Sequence, residues 1–316
     1  MLRITQNMLT SQFLYNITQI NQTMQQDQQE LSTGKSLNLP QDNPLAVSQD
    51  MSIKSALSQN TSYLSTISAG LTWMNNTTSA VQQLSNTLTN IQQAVISAIN
   101  TTNQSQGGVN GFYQTVQQYV KGIAQILNTT QGTRYLLNGT NTNTAPATIS
   151  ATGQLSIATT STTSPQTNAI SYQVAENVNV SINISSNDLM LSNIPTSSGG
   201  TTTLKDALNS IVSDLQTNSA SSLQDLSTQL QYLQAGMSNV TNLNADLGAT
   251  IQRVTALQNQ MTQYGTTMTN QKSTLEDANM AQVITQFTTD QTVYQSALKM
   301  GSEVLLPSLV SFLPNG

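Results

Sequence analysis

The chain has 316 residues, no cysteine, no histidine, 7% charged side chains and a net charge of -5. This excludes disulfides and thiolate metal sites, removes the commonest general base and metal ligand, and argues against nucleic acid, which is bound mostly through basic patches. About half of the residues are Ser, Thr, Asn or Gln, but the 37% that are hydrophobic recur at regular spacing, so the composition reads as an ordered chain large enough for two or three domains.

The first predicted element is an amphipathic helix, with Ile4, Met8, Phe13, Ile17, Ile20, Met24 and Leu31 on its apolar stripe. It ends at "LSTGKSLNLPQDNP", where Gly34-Lys35-Ser36 looks like the tail of a phosphate-binding loop. Such a loop needs a first glycine where this chain has Gln29, and a strand before it where this chain has a helix. Gly34 is better read as a left-handed helix cap, with Lys35 adding a cation at the negative end of the helix dipole. Asp42 or Asn43 then caps a new helix whose first turn holds Pro44.

From Val47 onward Leu57, Leu64, Ile67, Leu71, Met74, Val81, Leu84, Leu88, Ile91, Val95 and Ala98 step by three and four, as in a coiled coil or bundle. Taking Thr78, Val81 and Leu84 as successive core positions implies a stammer. "GGVNG", Gly107 to Gly111, is expected to break the helix, and Phe112, Val116, Tyr119, Ile123 and Ile126 form a second one folded back on the first. Between about 145 and 200 the period changes to two: Ile170, Tyr172 and Val174, then Val178, Val180, Ile182 and Ile184, alternate with polar residues as in half-buried strands. Gly153, Pro165, Pro195 and Gly199-Gly200 punctuate this β-rich insertion. Its Ser/Thr-rich tract around 158 to 168 is expected to be a mobile loop.

Helical spacing returns at Leu204, Leu208, Ile211 and Leu215, and runs on from Leu226 to Met268. Asp277 is the expected N-cap of a last helix carrying Met280, Val283, Ile284, Phe287, Val293, Leu298 and Leu305. The acidic residues are scattered and no pair stands out, so nothing points to an enzyme, a cofactor or a metal. The start of the chain lacks the apolar core of a cleavable signal peptide, and no run is long enough for a spanning helix, so membrane insertion is not expected and export would use another route.

The expected fold is mainly α: a long antiparallel helical hairpin, or coiled-coil bundle, formed by both chain ends, with a small β-rich insertion at its tip. Residues 1–38 and 275–316 would form the terminal helices of an inner assembly domain, 39–144 and 201–274 the coiled-coil rod, and 145–200 the β-rich outer domain. A terminal helix with a narrow apolar stripe and Gln-rich flanks is marginal alone in water, which fits ordering upon assembly; the competing reading is that the stripes close a monomeric four-helix bundle. With no histidine, little should titrate between about pH 5 and 8, and such a surface would suit an acidic exterior.

With "LSTGKSLNLPQDNPLAVSQ" near the start and "LEDANMAQVITQFTTDQTVYQSALKM" near the end, the chain resembles the flagellin superfamily of bacterial flagella. Within it the hook–filament junction branch is the nearer likeness: that branch has Asp-Asp-Pro where this chain has Asp42-Asn43-Pro44, a stretch like "GTRYLLNGTNTNTAP", and a leucine-rich ending like "LPSLVSFLPNG". The resemblance implies an extracellular structural protein, exported unfolded by the flagellar type III apparatus with a cytosolic export chaperone. It would assemble with its own copies between hook-associated protein 1 and flagellin. A flagellin proper, which polymerises indefinitely, and a secreted helical adhesin, which should carry a signal peptide or anchor, remain the alternatives at this point.

Overall fold

The structure, a computed structural model, describes residues 2–40, 43–101, 106–158, 169–196, 199–217 and 219–310. Helices α1 (Leu2–Thr33), α2 (Pro44–Thr101) and α3 (Gln106–Leu127) come first. Four two-stranded antiparallel hairpins follow: β1 (Thr130–Gln131) with β2 (Arg134–Tyr135), β3 (Ala147–Ile149) with β4 (Leu155–Ile157), β5 (Ser171–Ala175) with β6 (Val178–Ser181), and β7 (Ile194–Pro195) with β8 (Thr201–Thr202). The short helix α4 (Ser186–Met190) sits between the last two hairpins, and α5 (Leu204–Thr217), α6 (Ala220–Glu276) and α7 (Met280–Val310) complete the chain. The mainly helical fold, with the end helices packed together and β structure confined to the middle, is as the sequence implies. No helix among the described residues is long and apolar enough to cross a membrane.

The chain divides into two compact units, one of residues 1–59 and 264–316, the other of residues 60–263. In the second unit the core of α2 is an uninterrupted alternation of three and four: Ile67, Gly70, Met74, Thr77, Val81, Leu84, Leu88, Ile91, Val95 and Ala98 are all buried. The stammer is therefore absent. Thr77, not Thr78, occupies the seam, and its buried hydroxyl is satisfied by donating to the Trp73 carbonyl at 2.9 Å. In α6, Leu226, Leu233, Val240, Leu247 and Val254 are buried at seven-residue intervals, the a-position repeat of a coiled-coil seam. Asn60 donates to the Met261 carbonyl at 3.0 Å across these two helices.

Gly70 lies in the seam because the β5–β6 hairpin leans on it. A Cβ there would sit 3.3 Å from the Tyr172 ring and 3.5 Å from Ile182. Tyr172, Val174, Val180 and Ile182 turn inward as the alternation requires, whereas Val178 is exposed at the turn, next to Asn177 with φ 58°. Gly153 and Gly199, both with φ 80°, turn the second and fourth hairpins. Pro195 lies within β7 and not at a break. The glycines of "GGVNG" fall inside α3 and do not break it; residues 102–105, Pro165 and nearly all of the Ser/Thr-rich tract lie outside the described residues. The missed helix α4 starts with a capping box: Ser185 Oγ accepts from the Asp188 amide at 3.2 Å, and Asp188 accepts from the Ser185 amide at 3.1 Å.

Exposed helix faces are covered by hydroxyls that bond to their own backbone. Thr18, Thr66, Thr87, Thr241, Thr255 and Thr285 each donate to the carbonyl four residues back.

Candidate assembly surface

In the first unit α1 and α7 pack antiparallel. Phe13 of α1 rests on Gly301 of α7, where an added Cβ would meet the ring at 2.4 Å, and beyond the other end of the pair Lys35 bridges to Asp277. Phe13, Ile17, Ile20, Met24 and Leu31 are half-buried along this contact, with Val283, Phe287 and Tyr294 on the α7 side. Ile4 and Leu305 lie in α1 and α7, and their side chains are outside the described residues.

The turn after α1 is built as its residues demand. Gly34 has φ 72° and its amide donates to the Glu30 carbonyl at 2.8 Å, the single bond of a left-handed cap. The chain then lies against the link between α6 and α7: the Ser36 amide donates to the Glu276 carbonyl at 2.8 Å and the Ala278 amide to the Gly34 carbonyl at 3.0 Å. Asn43 caps α2, accepting from the Ala46 amide at 3.1 Å, and Pro44 is the first helical residue; Asp42 is outside the described residues. Asp277 does not cap α7. Its amide still bonds into the end of α6 at the Ser273 carbonyl, and its carboxylate accepts from the Ser273 hydroxyl. The cap is Asn279, whose carbonyl accepts from the Val283 amide at 3.0 Å and whose side chain accepts from the Gln282 amide at 3.4 Å.

Beside this turn is an ion cluster that sequence spacing could not assemble. The side chain of Glu276 is 4% exposed and pairs with Lys35, with Lys54 at 3.3 Å and with Lys272 at 3.4 Å; Lys54 also pairs with Asp50 at 2.6 Å. The hydrogen bond from Lys35, with help from Lys54 and Lys272, outweighs the cost of burial and holds the Glu276 carboxyl down to about 2. Thus the lysine of the "GKS" stretch neutralises a carboxylate brought from the other end of the chain. Lys272 and Glu276 are one turn apart and could have been read as an i,i+4 pair; Lys35 and Lys54 could not.

The two units differ sharply in where their apolar surface goes. Among the described residues, all the buried hydrophobic side chains belong to the second unit except Val283. The large exposed ones are mostly in the first: Met8, Leu14 and Tyr15 on α1, Leu45 and Met51 on α2, and Met280, Ile284, Val293, Leu298 and Met300 on α7. On α7 these residues flank the face turned to α1 on both sides, so its apolar stripe is wider than one partner helix covers. An open groove of about 530 Å³, lined by Ile53, Leu275 and small polar residues, runs between α2 and α6; an adjoining one of about 460 Å³ is lined by Pro40, Pro44, Val47 and Met51.

Residues 4–142 match the bacterial flagellin N-terminal helical region, and residues 230–313 match the bacterial flagellin C-terminal helical region. The chain belongs to the flagellin family. It is a structural protein of that family and not an enzyme. No curated protein matches it in sequence. Among solved structures, this flagellin-family fold is similar to a Vibrio parahaemolyticus protein described as flagellar hook-associated, at TM-score 0.63 and 16% identity over 74% of this chain and 99% of that one. It is also similar to flagellar hook-associated protein-3 from Legionella pneumophila, at TM-score 0.60 and 10% identity, covering 71% of this chain and 98% of that one. FlgL from Xanthomonas campestris gives 0.59 and 13%, with 70% and 99% covered. In this flagellin-family chain the regions carrying the exposed stripes, α1 and α7, lie in the two stretches that the family shares.

Proposed function

We propose that the chain is the hook–filament junction adaptor of a bacterial flagellum, a hook-associated protein 3 that adds as a limited layer of its own copies between hook-associated protein 1 and flagellin. The observation that carries the structural part is the inversion between the units: one has a closed core, and the other presents broad apolar stripes on α1 and α7, as an assembly surface must. The junction part is supported by similarity over nearly the whole length of proteins described as hook-associated and of FlgL. On this reading Ile4, Met8, Phe13, Ile17, Ile20, Met24 and Leu31 act with Met280, Val283, Ile284, Phe287, Val293, Leu298 and Leu305 as the assembly surface. Gly34, Asn43 and Pro44 fix the turn that presents it. The protein leaves the cell through type III export, with a cytosolic chaperone on its C-terminal helix, and works outside the cell.

Electron microscopy tests this. Purified protein is added to hook–basal bodies already capped by hook-associated protein 1, with flagellin as control. A short terminal addition on which flagellin then grows is the expected result. Long filaments of the protein alone would make it a filament subunit, and no addition at all would defeat the assembly reading.

A further inference from the structure

The facing stripes of α1 and α7 do not by themselves fix how far one helix lies along the other. Phe13, Ile17, Ile20, Met24, Asp27 and Leu31 on α1, and Val283, Phe287, Asp290, Tyr294, Ala297 and Gly301 on α7, each step alternately by four and three, so both faces repeat with the heptad. A slide of one heptad, about 10 Å, brings stripe onto stripe again. The chain would permit it, since only residues 277–279 link α6 to α7, whereas residues 34–43 separate α1 from α2 and could take up that length.

Two contacts break the repeat. Phe13 is the one ring in the α1 stripe, Gly301 is the one position of the α7 stripe without a side chain, and the two meet. At the opposite end of the pair Lys35, the one cation between Arg3 and Lys54, reaches the buried Glu276 carboxylate, beside the backbone bonds from the Ser36 amide to Glu276 and from the Ala278 amide to Gly34. Backbone groups are alike along the chain and could pair again after a slide; a ring over a glycine and an ammonium on a buried carboxylate could not. After one heptad of slip Phe13 would meet Tyr294, and Lys35 would stand about 10 Å from Glu276, leaving that carboxylate to Lys54 and Lys272.

We propose that the Phe13–Gly301 and Lys35–Glu276 contacts are two locks, one of shape and one of charge, that set the register of α1 on α7, while the apolar stripes supply affinity without alignment. A single polar residue in a coiled-coil seam specifies register in the same way, at a cost in stability. The register positions the apolar surface. Leu14 and Tyr15 follow Phe13, and Leu298 and Met300 lie beside Gly301, so the native alignment gathers these exposed side chains at one level of the pair, and a slide would part them. That consequence rests on the assembly reading above; the alignment itself does not.

Spin labels read the register directly, because the chain has no cysteine of its own. Gln12→Cys and Gln282→Cys, at exposed positions near opposite ends of the pair, are labelled in the full-length protein held below its assembly concentration. The distance between the labels is measured by pulsed dipolar spectroscopy in the otherwise wild-type chain, in Phe13→Leu, in Lys35→Met and in the double variant. One sharp distance is expected for the first three, each of which keeps at least one lock. The double variant, with its helicity by circular dichroism unchanged, should add a discrete second distance displaced by about 10 Å, one heptad. A double variant that keeps the single native distance would show that the stripes align themselves, and one that loses helicity with only a broadened distance would show the contacts to be stabilising alone; either result overturns the proposal. Because the distances are read on unassembled protein, they judge the register whether or not the protein adds to hook-associated protein 1 caps.

Discussion

Gly34 has nothing within 4 Å of where a Cβ would be, so replacing it tests conformation alone. Gly34→Ala should destabilise the first unit by about 1 kcal/mol through the left-handed φ, read by chemical denaturation, and ATP should not alter the result. Gly301→Ala differs in kind, since the methyl would overlap the Phe13 ring; a cost of about 1–3 kcal/mol is expected, with Phe13→Leu as a partial rescue. Glu276→Gln removes the negative charge shared by three lysines that are themselves partly exposed, so a loss of roughly 2 kcal/mol at neutral pH is expected. Glu276 is depressed in the folded state from 4.5 to about 2. Its contribution is complete above the ordinary glutamate value and disappears as pH falls toward 2, so wild type and variant should converge in that window in a pH series of melts.

At the scale of elements, many helices and caps were legible from local chemistry, although the Ser185–Asp188 capping box of α4 went unread and the "GGVNG" glycines are helical. Phe13 to Leu31, the α6 heptads, Gly34 and Asn43-Pro44 could all be read from spacing and from the backbone preferences of glycine, asparagine and proline. What failed was choice among similar neighbours. Thr77 and Thr78 are identical as residues, and only tertiary packing decides which of them enters the seam. Asp277 and Asn279 are both good caps, and the continuation of α6 through Glu276 commits the first to the end of that helix. Asn279→Ala should therefore lower α7 stability by about 1 kcal/mol, seen as faster amide exchange in its first turn, with little effect from Asp277→Ala on those amides. The ion cluster was illegible for another reason: Lys35 and Glu276 are brought together by the chain ends meeting, and no single-element pattern contains them.

For the whole molecule, the apolar residues of the two units have different fates although their stripes look alike in the sequence. Leu84 and Leu88 are fully buried, whereas Ile284 and Leu298 remain half exposed on similarly spaced helices. Leu88→Ala should cost about 2–5 kcal/mol in the unfolding of the free protein. Ile284→Asp with Leu298→Asp should leave that transition nearly unchanged and suppress addition to hook-associated protein 1 caps.

The threonine hydroxyls that fold back on their own carbonyls leave the helix surfaces polar but nearly without charge. Ionic screening thus has few long-range forces to weaken, and assembly should proceed at similar rates in dilute buffer and in strong sodium chloride, while responding steeply to temperature and to salting-out ions. A structure joined this way would hold equally well in fresh water and in brine.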